Sequence, residues 1–165
     1  MFRPMRRKRQ QLSAADCKAV LDRGTSGVLS LFGDNGYPYG VPINYYRDGD
    51  RLLFHSAKSG HKIDAIGGGS KASFCVIDQD EIVPEEYTSY FRSVIAFGFL
   101  KILTDDREKR RAIELLAERF SPEQVEGRQQ EIEEQYDHLC MLELTIEHLS
   151  GKEAMTLVKG RRSAE

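Results

Sequence analysis

The feature that most restricts the fold is a succession of short strand-type runs separated by tight turns near the start of the chain. Val28-Leu29-Ser30-Leu31-Phe32 has strand composition, and Asp34-Asn35-Gly36 follows it. Asn-Gly suits the left-handed backbone positions of a hairpin turn. The chain returns over 37–46, with Pro38 and Pro42 marking an edge or a bulge. It turns at Arg47-Asp48-Gly49-Asp50 and runs again over 51–56. Three such runs predict an antiparallel meander. A doubly wound sheet needs strand–helix–strand crossovers, and a dinucleotide site needs a G-x-G-x-x-G after a strand. Neither pattern occurs, so a barrel is favoured.

The remaining segments fit around that sheet. Ser13 caps a helix over 14–23, with Asp16 in capping-box position and Gly24 at its end. Residues 60–66 read as one or two helical turns, closed by Gly67-Gly68-Gly69. A strand follows over 72–77, then an acidic surface loop over 78–86. Strand character resumes over 87–103, long enough for two short strands or one bent one, with Gly98 as the bend point. Ile113, Leu116, Ala117 and Phe120 form one apolar stripe on a helix over 107–120. A second helix, over about 123–134, takes Ser121 as its cap and Pro122 as its first residue; its polarity puts it on the surface. Residues 140–147 alternate with period two, which predicts a last strand with one buried face. The expectation is a mainly β domain with peripheral helices over 12–150. A basic flexible arm (1–11) precedes it and a C-terminal tail (151–165) follows.

Composition removes several function classes. The formal net charge is -2, and the one strongly basic run is Arg3–Arg9, so nothing marks a basic stripe for nucleic acid. No apolar run approaches the ~20 residues that span a bilayer. The basic start lacks the apolar stretch of a secretory signal, so the expected location is cytoplasmic, away from membranes. Cys17, Cys75 and Cys140 are odd in number and far apart, which disfavours a disulfide framework. The histidines are equally dispersed, so no metal site is expected.

Two segments carry chemistry. Phe54-His55-Ser56-Ala57-Lys58-Ser59-Gly60-His61-Lys62 gathers a hydroxyl, two lysines and two histidines between a strand end and a short helix. A phosphate needs such convergent donors, and a polar barrel loop kept for solubility has the same composition. Tyr37-Pro38-Tyr39-Gly40-Val41-Pro42-Ile43-Asn44 offers an apolar surface with a polar edge, as a flat heteroaromatic ring requires. An edge strand protected against pairing reads the same way.

Taken together, the G-Y-P-Y-x-V-P-x-N and F-H-S-A-x-x-G-x-K segments resemble the pyridoxamine-phosphate-oxidase-like superfamily. The likeness is greatest to its flavin-nucleotide-binding and 5-nitroimidazole-resistance-type branch, and it covers about residues 5–149. The resemblance implies a six-stranded antiparallel split β-barrel of the FMN-binding type. It also implies a homodimer with FMN in clefts at the subunit interface. By that analogy Val41, Pro42, Ile43 and Asn44 lie along the isoalloxazine ring. His55, Ser56 and Ala57 follow the ribityl chain, and His61 and Lys62 hold the phosphate. Ser93 approaches the flavin from the other subunit. Many relatives carry arginine where this chain has His61, and a neutral imidazole gives fewer donors.

The implied activity is that of an oxidoreductase. It reduces a small organic acceptor, nitroaromatics being one class, with a nicotinamide nucleotide as a candidate donor. His55 is the candidate acid–base residue. Vitamin B6 oxidation is not expected, because 149–155 lacks the arginine- and tryptophan-containing segment of those oxidases and the chain has no tryptophan. A non-catalytic flavin carrier or sensor, or a split barrel holding haem or a deazaflavin, remains the alternative.

Overall fold

The computed structural model describes residues 1–164, with side chains through Gly160. The elements run α1 (Ala14–Arg23), β1 (Ser26–Phe32), β2 (Pro38–Asn44), β3 (Tyr46–Asp48), β4 (Arg51–Ala57), α2 (His61–Ile66) and β5 (Ser70–Val83). They continue with β6 (Thr88–Ile102), α3 (Asp106–Phe120), α4 (Val125–Gln135), β7 (Leu139–Glu153) and α5 (Met155–Ala164). One antiparallel sheet has the order β2-β1-β5-β6-β7-β4-β3. The fold is a mainly β split barrel, with seven strands where six were expected.

The extra strand arises at Tyr45, which divides the single run predicted over 37–46. Its side chain is 1% exposed, its hydroxyl donates to the Leu21 carbonyl at 2.7 Å, and its ring meets Phe74 edge-on at 4.8 Å. This anchor carries the chain across the barrel. Asn44 therefore stays beside β1, while Tyr46 begins a pair with β4 at the other end of the sheet. The predicted meander is thus two separate pairs, and β4 joins β7 instead. Gly24 makes room for the anchor, since a Cβ there would stand 2.5 Å from the hydroxyl. Replacing Tyr45 by Phe leaves a buried carbonyl short of a partner. It is expected to lower stability by about 1–2 kcal/mol in urea unfolding, with the m-value unchanged.

Other segments depart from the sequence reading for local reasons. The Ser13 capping box forms as expected. The acidic stretch 78–86 is mostly strand, because β5 keeps pairing with β6 as far as Val83 opposite Thr88. Arg23 and Arg92 both bind the Asp78 carboxylate where the register shifts. β6 is one bent strand with its irregularity at Phe97/Gly98, where a Cβ would run into the Thr145 carbonyl. β7 is buried on both faces over Cys140–Leu144, not one. Cys140, Leu142 and Leu144 enter the barrel core, and Met141 joins a second core with Leu53 beneath α3 and α4. α4 starts at Val125 rather than 123. Ser121 and Pro122 form the connecting turn, and their carbonyls accept from Arg128 Nη1 at 2.7 and 3.2 Å.

At the termini, Phe2 stacks on His148 at 4.2 Å and Gln11 bridges to Lys152 of β7. Met155–Ala164 form α5, and Glu165 of the expected tail lies outside the described residues. No helix among the described residues is long and apolar enough to cross a membrane.

Candidate functional site

β4 carries the centre of the site. Period two sends Leu52 and Phe54 into the barrel and turns Leu53, His55 and Ala57 toward the helical pair. α3 and α4 cover Leu53 but stop short of His55 and Ala57. Beyond that point a cavity of about 590 Å³ opens, lined by Asn44, His55, Ser56 and Ala57 on the barrel side. Its size falls within the ordinary range for small-molecule sites, roughly 300–1,000 Å³.

Lys62 stands beside this wall, in the first turn of α2. It is half-buried, and desolvation pulls its pKa below the usual 10.5. Among the described residues it has neither an ion pair nor a hydrogen bond. Its charge reaches both His55 and the Cys140 thiol. The thiol is buried and donates to the Ala57 carbonyl at 3.4 Å. A partly desolvated cation with no counter-charge is costly, and an incoming anion relieves that cost. Lys58 adds a second positive charge near the same thiol.

His55 is exposed, yet its pKa lies below 6.5, chiefly through desolvation and secondly through Lys62. The imidazole is therefore neutral at pH 7. Between its lowered folded value and the unfolded value near 6.5, the unfolded chain holds more protons than the folded one. Stability consequently rises with pH through that window and falls on acidification. His55→Gln is expected to remove this part of the slope, as read from urea midpoints at about pH 5.5 and about pH 7.5.

The other expected site residues are placed less uniformly. Val41 and Ile43 pack against the barrel core, whereas Pro42 and Asn44 are exposed on the opposite face of β2. What the four share is the free edge of the strand, since among the described residues β2 pairs only with β1. The Asn44 amide donates to the Thr25 carbonyl at 3.0 Å, and the residue lines the cavity. His61 is turned to the β1–β2 hairpin. Its ring stacks on Tyr39 at 4.1 Å, and Nε2 lies 3.5 Å from Asp34 Oδ2. Ser93 is not in the cavity of its own chain. It lies on the outward face of β6, opposite Ile77 and Lys152. That face also exposes Val28, Phe32, Ile77 and Phe99.

The far wall of the cavity was not foreseen. Leu116, Ala117 and Phe120 of α3 and Ile132 of α4 make it apolar, and Gln124, Arg128, Glu131 and Gln135 rim it. These four recur at intervals of four, three and four, which places them on one face of the α4 turn and helix. That spacing was readable in the sequence. It was obscured because so polar a helix reads as solvated on all sides. No group of three or more His, Cys, Asp or Glu side chains gathers to hold a metal among the described residues.

Comparison with known proteins agrees with this architecture. The chain overlays on a flavocytochrome from Azotobacter vinelandii with TM-score 0.75 at 21% identity, covering 92% of this chain and 72% of that one. An FAD- and haem-binding protein from Mycobacterium smegmatis gives TM-score 0.71 at 25% identity, over 88% and 74% of the two chains. A Bacteroides thetaiotaomicron protein ascribed to 5-nitroimidazole antibiotic resistance gives TM-score 0.70 at 17% identity, over 87% and 86%. No curated protein matches the sequence. The family model described as pyridoxamine 5'-phosphate oxidase matches residues 13–153, nearly the whole barrel. The chain therefore belongs to the pyridoxamine 5'-phosphate oxidase family.

Proposed function

We propose that the protein binds a flavin, specifically FMN, and acts as an oxidoreductase toward a small organic acceptor. In this reading it is a cytoplasmic homodimer with the flavin at the subunit interface. The observation that carries it is the half-buried, unpaired Lys62, whose charge reaches His55, next to a largely apolar cavity that His55 and Ser56 line. A flavin phosphate supplies the missing negative charge, and its ring needs the apolar wall. Structural neighbours described as flavin- and haem-binding support the class of ligand.

A bound flavin supplies reversible redox chemistry between a donor, such as a nicotinamide nucleotide, and an acceptor, with nitroaromatics as one class. The chain's own residues bind and orient. Lys62 takes the phosphate end and His55, Ser56 and Ala57 follow the ribityl chain, with His61 available to the phosphate only if its ring leaves Tyr39 and Asp34. The edge of β2 from Val41 to Asn44 flanks the ring, and α3 with α4 keeps water from it. Neutral His55 is the group placed to accept a proton at the cavity wall. Ser93 contributes from the second subunit, whose docking covers the apolar outward face around Val28, Ile77 and Phe99.

The test is an absorption spectrum of the purified protein after addition of FMN and removal of the excess, with the mass in solution measured on the same sample. Bands near ~375 and ~450 nm and a dimer mass are expected. No retained flavin at micromolar protein would overturn the reading. An intense haem band instead would favour the haem alternative, for which His55 and His138 face the same cavity.

A further inference from the structure

The α3–α4 wall of the cavity contains a second cation without a carboxylate partner. Arg128 is half-buried, and its Nη1 is fixed by the Ser121 and Pro122 carbonyls. A guanidinium has five N–H donors. Among the described residues, those on Nε and Nη2 have no protein partner and no carboxylate pairs with the group. The nearest candidate by spacing, Glu131, is exposed at the rim and makes no ion pair with it. The anchored guanidinium is therefore a pre-oriented fork in the same cavity lining as the apolar Leu116, Ala117, Phe120 and Ile132. A fork of this kind matches a carboxylate in plane and in charge.

We infer that this wall is the specificity-determining part of the site and selects a flat, mostly apolar molecule bearing one carboxylate, which Arg128 receives. The inference builds on the flavin reading, since it assigns the acceptor side of the same cavity. It uses no residue given there to the phosphate. The apolar body lies on the α3 side chains. Glu131, three residues on from Arg128, opposes a second negative charge and so limits the ligand to one.

The test uses two redox-inert probes of equal shape, 2-naphthoate and 2-naphthamide, titrated calorimetrically into FMN-saturated protein. Native protein is expected to prefer the acid by about 10-fold or more. Arg128→Gln is expected to abolish that preference while leaving amide binding and FMN affinity unchanged. Arg128 also braces the turn before α4, so Glu131→Gln serves as the second variant. Removal of its charge is expected to tighten the acid by about 2–5-fold and leave the amide alone. Equal affinity of native protein for both probes overturns the inference, as does an acid preference that survives Arg128→Gln. FMN retention is followed separately by flavin fluorescence. Loss of flavin with intact acid preference overturns the flavin reading and leaves this one standing, and the reverse result does the opposite.

Discussion

Lys62→Met is expected to weaken FMN binding by about 10–100-fold while leaving riboflavin binding unchanged. A charge-assisted hydrogen bond in a partly buried site contributes about 1.5–3 kcal/mol, which sets that range. Riboflavin lacks the phosphate, so it reports on the ring contacts alone. The free protein is expected to keep its stability or gain slightly, because the variant removes a cation that desolvation already disfavours. Flavin fluorescence titrations with both ligands, beside a urea curve, make the comparison. An equal loss for riboflavin would assign Lys62 to the wall rather than to the phosphate. No loss for FMN would move the anion elsewhere on the barrel.

The largest stability effect is expected at Phe74. Its ring is fully buried and meets Tyr45 at 4.8 Å and Phe54 at 5.1 Å, both at 67°. A Cβ at Gly27 would stand 2.6 Å from it, so β1 leaves its backbone bare to admit the ring. Phe74→Ala removes the shared partner of the Tyr45 anchor and of the residue before His55. The expected cost is about 3–5 kcal/mol, read from the urea midpoint at constant m-value. Flavin affinity is expected to fall as well, since Phe54 packs on Phe74 and directly precedes His55 on β4, where the cavity begins. A cost below about 1 kcal/mol would mean the barrel interior collapses around the gap and the three rings are not a unit.

Much of the fold was legible because local chemistry and tertiary pairing agree. The Ser13 capping box, the Asn35-Gly36 turn, the Gly98 bend and the α3 stripe are all set within a few residues. What could not be read depended on distant partners. Tyr45 looks like any strand aromatic until Leu21 and Phe74 are in place. Residues 78–83 look like a loop until β6 supplies the other half of the ladder. The site divides in the same way. Asn44, His55, Ser56 and Ala57 line one cavity, and Lys62 stands beside it. The distribution of Val41 through Asn44 over two faces of β2 follows from strand alternation. The Tyr39 stack on His61 needed the hairpin and α2 to be seen together. The Arg128 side of the cavity was hidden by the polarity of α4.

The crossing at Tyr45 also has a consequence for how the molecule is made. The two strands that flank the cavity, β2 and β4, lie close in sequence but differ in when they can form. β2 closes onto β1 through a turn of a few residues, whereas β4 waits for β7, with Arg51 opposite Thr145, roughly ninety residues later. Pairings of such separation place barrels among the slower-folding domains, in milliseconds to seconds. On a ribosome adding about 5–20 residues per second, the β4 wall cannot be set until the last strand emerges. Closure of the cavity is therefore among the final events in the biogenesis of this chain, and any lesion that delays β7 leaves a nascent barrel with an open seam.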